Sequence, residues 1–334
     1  MPMMTMEEAK NEPNNRVDVL YVVLAIIVGS FILIAGFYLL IDLTGKNQRA
    51  AVGTVGTNEA TEPLPFDPFK NIHLEARAVY VWDINAEKVL FSRNDTVSLP
   101  LASLTKLMTA LTAVASLPES TVVTVRSDHL KMEGDTGLKP AEQWTLKNLL
   151  DLTLVSSSND GAAAIASIFF DDRNQAEQSG TPPVFIEKMN TLARSLKFES
   201  MRFNNETGLD LSEKEAGAYG SARDVSRLMT HLLIEYPEIL EPTKYPALEI
   251  SSLNEITHVV RNTNSIVDKI PGLLASKTGW SDLAGGNLAV IIDSGLGNPI
   301  AITVLGSTYE RRFDDTLMLV DAVRKLVAHE IEIE

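Results

Sequence analysis

The 334-residue chain contains no cysteine. That excludes a disulfide framework, a thiol nucleophile, a thiolate-ligated zinc site and a lipidated N-terminal cysteine, and it leaves the redox compartment open. Positive charge is also in short supply. Lys and Arg number 29 against 44 Asp and Glu, a formal charge of −15. A nucleic-acid binder needs clustered cations to displace phosphate counterions, so no nucleic-acid partner is expected. The five histidines are scattered, and His329-Glu330 has no second histidine four residues on, so neither a metal nor another cofactor is expected. There is no Gly-x-Ser-x-Gly elbow, no Gly-x-Gly-x-x-Gly fingerprint and no internal repeat.

What the chain does have begins with one long uncharged run, Val19 to Ile41, 23 residues. As a helix it would extend roughly 35 Å, enough for the hydrocarbon core of a bilayer. A signal peptide would have a shorter apolar stretch and a small-residue cleavage site close behind it, whereas Ala51-Val52-Gly53 is distant and weak. The run therefore reads as an uncleaved anchor. Lys10 and Arg16 before it balance Lys46 and Arg49 after it, so the positive-inside count does not orient it. Residues 42–70, punctuated by Gly53, Gly56, Pro63, Pro65 and Pro68, read as a linker. Globular patterning then runs unbroken over 71–334.

Ala78 to Trp82 and Lys88 to Phe91 are strand-like around Asp83-Ile84-Asn85-Ala86, which predicts a hairpin. A long stretch from Ser103 to about Leu240 reads as mostly helical. Strand patterning returns at 286–292 and 300–305, and Phe313, Leu317, Val320, Val323 and Val327 then mark one stripe of a final helix. Strands at both ends with helices between predict an α+β fold: one antiparallel sheet, closed by distant segments and flanked by terminal helices, with an inserted helical subdomain.

Three short motifs carry chemistry. Ser103 and Lys106, three apart at a helix start, share a face. A serine hydroxyl needs a base within reach, and lysine serves as one only where desolvation or a neighbouring cation lowers its pKa. Such a pair arises by chance about once in a chain this long, so alone it reads as an ordinary helix face. Ser157-Ser158-Asn159 precedes a small-residue helix and reads equally as an N-cap. Ser252-Leu253-Asn254 fits the same pattern. Lys277-Thr278-Gly279 reads either as a surface strand end or as a strand edge presenting a cation and a hydroxyl, with glycine allowing close approach.

In that order the three motifs resemble those of the penicillin-recognising serine hydrolases. The wording of 102–110, 203–210 and 276–285 is similar, more narrowly, to the D-alanyl-D-alanine carboxypeptidases, the low-molecular-mass penicillin-binding proteins. The likeness extends from about Ala76 to Val320. It implies Ser103 as acyl-enzyme nucleophile, Lys106 as its base and Ser157 as the relay to the leaving amine. Asn159 would hold Lys106 and bind a substrate amide. Lys277 and Thr278 would bind a terminal carboxylate, and the cation of Lys277 would help keep Lys106 neutral. Gly279 would admit the substrate backbone, and the N–H groups of Ser103 and Trp280 would form the oxyanion hole. Arg312 falls where the family often places an arginine near the carboxylate; the adjacent Arg311 is the alternative, and an ordinary surface charge at a helix start is the plain reading of either.

The implied partners are peptidoglycan stem peptides, β-lactams as covalent inhibitors, and the membrane. A wall substrate would put the catalytic domain outside and residues 1–18 in the cytoplasm. Trp280 departs from the smaller residues expected after Lys-Thr-Gly. The chain also stops at Glu334 without a second β-rich domain or C-terminal amphipathic anchor, so the N-terminal span would supply the attachment. The runner-up activity is a D,D-endopeptidase cutting cross-links. A class A β-lactamase would need a Glu-x-x-Leu-Asn loop, and Glu249 to Asn254 has one residue too many. A non-catalytic wall-binding protein would not need every motif side chain intact.

Overall fold

Strand β1 (Ala78–Asp83) is apolar on both faces and pairs on both sides, the pattern of a strand between two layers. The computed structural model describes residues 66–134, 137–169, 183–295 and 297–333. Around β1 it builds an antiparallel sheet with β2 (Lys88–Arg93), β3 (Leu273–Ser281), β4 (Gly285–Asp293) and β5 (Pro299–Ser307), in the order β3-β4-β5-β1-β2. The hairpin expected around Asp83 is present. β1 meets β5 from Ala78↔Leu305 to Asp83↔Ile300, so segments more than 200 residues apart close the sheet. The carboxylate of Asp315 reinforces that closure, accepting from the backbone of Glu75 and Ala76 and from the Ser307 hydroxyl.

Alternation along the strands divides the interior into two cores. Val79, Val81, Leu288, Val290, Ile302 and Val304 face one side, where the final helix α6 (Arg311–Ile333) packs through Phe313, Val320 and Val323. Ala78, Ala275, Ala289 and Ala301 face the other. Their small side chains let helix α5 (Ala222–Glu235) lie close against β1, β4 and β5. On that side stand α1 (Thr105–Val114), α2 (Leu146–Val155), α3 (Asn159–Ser167) and α4 (Pro183–Ser195), the inserted subdomain.

Two expectations need correcting. The stretch 103–240, expected to be mostly helical, carries less helix than that. It is interrupted by short paired strands at Val122–Thr124, Gln143–Thr145, Arg202–Phe203 and Ala218–Gly220. Two or three residues carry too little alternation to be read from sequence. Nor does a helix precede β1 among the described residues. The α6 side of the sheet is completed instead by the irregular segment carrying Phe69, Ile72 and Leu74. The proposed tail 1–18, the span 19–41 and most of the linker lie outside the described residues. Among those described, no helix is long and apolar enough to cross a membrane.

Candidate active site

The site forms where the edge strand β3 meets the turn that opens the helical subdomain. Ser103 lies in a 3-10 turn, Ala102–Leu104, that runs directly into α1. The i,i+3 spacing in such a turn nearly eclipses side chains, which sets Lys106 over Ser103. Ala102 holds a left-handed φ of +47°, costly for a residue with a Cβ. Its carbonyl accepts from Thr105 Oγ1 at 2.6 Å.

Lys106 is fully buried. Its Nζ is 3.0 Å from Ser103 Oγ, 2.6 Å from Asn159 Oδ1 and 2.8 Å from the Thr207 carbonyl oxygen. Burial brings its pKa down to about 7, against the opposing field of the Glu206 carboxylate. The three partners also suit the neutral amine. Its two N–H groups can be given to the Asn159 and Thr207 oxygens, neither of which has a proton to offer, and its lone pair is left for the Ser103 hydroxyl. That is the arrangement of a base on a nucleophile.

Lys277, on β3, is equally buried, and its Nζ donates to Ser157 Oγ at 2.8 Å and to the Thr278 carbonyl at 2.9 Å. It is therefore not a surface strand end. Its pKa is lowered well below the usual lysine value, by burial first and then by the charges of Lys106 and Arg312. The expected help of the Lys277 cation in keeping Lys106 neutral is replaced by burial: burial lowers Lys106, and it is the charge of Lys106 that bears on Lys277. Ser157 has φ +60°, another strained non-glycine residue, at the end of the loop between α2 and α3. Its neighbour Ser158 is the N-cap of α3 and accepts from Gly161 N. Asn159 Nδ2 donates one N–H to the Glu133 carbonyl at 2.6 Å while its Oδ1 accepts from Lys106, which leaves the second N–H for another acceptor.

Gly279 is required by close approach. A Cβ there would stand 2.8 Å from the Leu101 carbonyl oxygen and 3.2 Å from Ser103 N. Trp280 points the other way, half-exposed, with its ring edge-on to Tyr309 at 5.8 Å. Arg312 is buried between the rings of Tyr309 and Phe313 and donates to the Gly279 carbonyl at 3.0 Å. It thus holds the strand backbone, while Arg311 faces Glu75 and Asp314 at the surface. A cleft of about 350 Å³ opens over Ser103, bordered by Glu133, Asn159, Asp210, Trp280 and Asp282. The structure thus brings Ser103, Lys106, Ser157, Asn159, Lys277, Thr278 and Gly279 together, with Trp280 at the rim and Arg312 behind the strand. The second Ser-x-Asn match lies in a distant hairpin turn, where Ser252 Oγ accepts from Ile256 N.

Sequence reasoning missed three contributors. The Thr207 carbonyl is invisible to side-chain motifs, although the stretch 203–210 signals it. Thr263 places its hydroxyl 2.6 Å from that of Thr278. Asn287 is the one polar side chain in the run 286–292, and that is the available clue.

The chain matches the family described as D-alanyl-D-alanine carboxypeptidase, peptidase S11, over residues 64–308, and it belongs to that family. It is 30% identical over 256 residues to D-alanyl-D-alanine carboxypeptidase DacF of Bacillus subtilis, covering 74% of this chain and 61% of the relative. It is also 30% identical over 217 residues to a D-alanyl-D-alanine endopeptidase of Pseudomonas aeruginosa, covering 64% of this chain and 65% of the relative. It therefore spans somewhat less than two thirds of the length of these two curated relatives. Among solved structures, penicillin-binding protein D2 from Listeria monocytogenes in its ampicillin-bound form superposes with a TM-score of 0.62 at 26% identity. That match covers 76% of this chain and 98% of the other.

Proposed function

We propose that this protein is a serine-type D-Ala-D-Ala carboxypeptidase that trims the terminal D-Ala from peptidoglycan stem peptides. The observation that carries the reading is the contact between Ser103 Oγ and a buried lysine amine whose pKa lies near 7. Ser103 attacks the penultimate carbonyl and its proton passes to Lys106. The developing oxyanion is held by the N–H groups of Ser103 and Trp280, which flank the cleft. The proton then reaches the departing D-Ala amine through Ser157, leaving an ester on Ser103 that water hydrolyses. Lys277 and Thr278 take the terminal carboxylate. Asn159 fixes Lys106 and offers the substrate an amide contact, and Arg312 acts by holding the Gly279 carbonyl. Because β3 is an edge strand, an extended peptide can pair along it.

Covalent capture of β-lactams follows from the same geometry, since a strained lactam presents its carbonyl as the peptide does. Cleavage of cross-links is the second reading, favoured by the endopeptidase name of one relative at equal identity. We also propose that residues 19–41 anchor the protein in the cell membrane, with 1–18 inside, 42–70 as spacer and 71–334 outside, where the substrate is. The test is labelled penicillin followed by mass spectrometry of the adduct peptide. The label is expected on Ser103 in the wild type and absent in Lys106→Ala; an adduct on another serine, or none at saturating drug, refutes the mechanism.

A further inference from the structure

The β4–β5 ladder breaks at Asn287. Gly286 pairs with Ser307 and Leu288 with Val304, so two residues of β5 oppose one of β4, the arrangement of a β-bulge. The break leaves the Gly306 N–H without a ladder partner, and Asn287 Oδ1 accepts it at 2.8 Å. The other end of the amide leaves the sheet altogether. Nδ2 donates to the Pro100 carbonyl at 3.0 Å and to the Leu101 carbonyl at 3.1 Å, the two residues that lead into the Ser103 turn. Asn287 is completely buried, and all three of these bonds are internal.

Its route to the turn depends on its cross-strand neighbour. Asn287 lies directly opposite Gly279, and facing residues in adjacent strands project to the same side. A side chain at 279 would occupy the space beside Leu101, as the 2.8 Å contact of a notional Cβ shows. The bare glycine leaves that space to the amide. The Leu101 carbonyl is also the acceptor of Leu104 N, the hydrogen bond that closes the 3-10 turn around Ser103. A single amide thus ties the sheet to the first carbonyls of the nucleophile turn, next to the one residue in that turn with a strained φ, Ala102.

We infer that Asn287 is a positioning residue for the nucleophile, fixing the Ser103 turn against β3 so that the Ser103 and Trp280 N–H groups keep the spacing an oxyanion requires. A buried amide in an apolar strand costs desolvation that a leucine would not, and what it fixes is the one turn whose placement sets the reaction geometry. The inference rests on the proposed role of Ser103.

The test compares Asn287→Asp, which keeps the acceptor for Gly306 but loses the donors, with Asn287→Ser, which is too short to bridge. Stopped-flow acylation by a fluorescent penicillin separates binding from the acylation rate constant, and thermal melting reports folding of each variant. Both variants should lower the acylation rate constant by roughly 100-fold, the scale of a misplaced reacting group, with binding little changed. Amide exchange at Leu104 should quicken. Folded variants that acylate at the wild-type rate overturn the inference, as does a loss equal to the unfolded fraction, or a failure of both variants to fold. A wild type that forms no Ser103 adduct would instead refute the proposed function.

Discussion

Gly208 lies against Ala102 so closely that a Cβ on it would stand 1.9 Å from the Ala102 carbonyl oxygen. Gly208 also has φ +82°, and its N–H donates to Asn205 Oδ1 at 2.7 Å. The loop that supplies the Thr207 carbonyl to Lys106 is therefore pressed directly onto the nucleophile turn. Gly208→Ala must move one or the other. Acylation of Ser103 should fall by at least about 10-fold in protein that still melts cooperatively, because the displacement reaches the reacting atoms. Titration with a fluorescent penicillin at fixed folded concentration measures it.

The acylation rate should rise with pH as Lys106 loses its proton, with a midpoint set by its lowered pKa of about 7. The same shift governs stability. The unfolded chain holds that proton up to its ordinary value of 10.5, whereas the folded chain releases it near 7. Between those values the unfolded state binds more protons, so the contribution of Lys106 to stability grows as pH rises from about 7 towards 10, and below 7 its penalty is complete. Lys106→Met should abolish acylation yet raise the melting temperature at pH 6 to 7, and it should flatten that rise. Melting curves of both proteins from pH 6 to 9.5 check the sign.

Thr263 and Thr278 share a hydrogen bond in which either hydroxyl can donate. When Thr278 turns its single proton to a substrate carboxylate, Thr263 must become the donor to Thr278. Thr263→Val removes that donor and should raise KM for a peptide ending in free D-Ala by about 3- to 10-fold, the value of one net hydrogen bond, with kcat little changed. Thr263→Ser should restore it. Steady-state D-Ala release is the measurement.

Amidating the terminal D-Ala of a stem-peptide mimic should slow hydrolysis by roughly 10- to 100-fold, from the loss of a charge-assisted bond to Lys277 and Thr278. Cross-linked dimer muropeptides offered in parallel distinguish the two proposed activities. Free D-Ala alone is the carboxypeptidase outcome, and monomers without D-Ala are the endopeptidase one.

Legibility in the sequence followed the physics of each feature. The strands β1, β2, β4 and β5 were readable because five or more residues sit in one repeating environment. Leu99–Pro100 and Arg202–Phe203 were not, being paired pieces of two residues whose conformation is set by their partners. Ser103, Lys106, Ser157 and Lys277 could be named because the order and wording of their motifs resemble a known family, each motif alone being ambiguous. The Thr207 carbonyl could not, because any residue carries one. Arg312 was legible as a nearby cation, but only the fold shows that it faces the Gly279 backbone and two aromatic rings.

Strand β5, in the middle of the sheet, is the last of the five to be synthesised. Until Pro299–Ser307 emerges, β1–β2 and β3–β4 can exist only as two separate ribbons, each with an unpaired edge, and Asn287 has no Gly306 to bind. Joining β1 to β5 requires contacts across more than 200 residues, the kind of non-local pairing that slows folding and leaves strand edges exposed until it forms. A nascent chain halted before residue 299 already contains every catalytic motif, yet it lacks the central strand that joins the β3–β4 ribbon, carrying the lysine of the third motif, to β1–β2. Activity should therefore appear late and abruptly during synthesis, when the sheet's middle strand arrives.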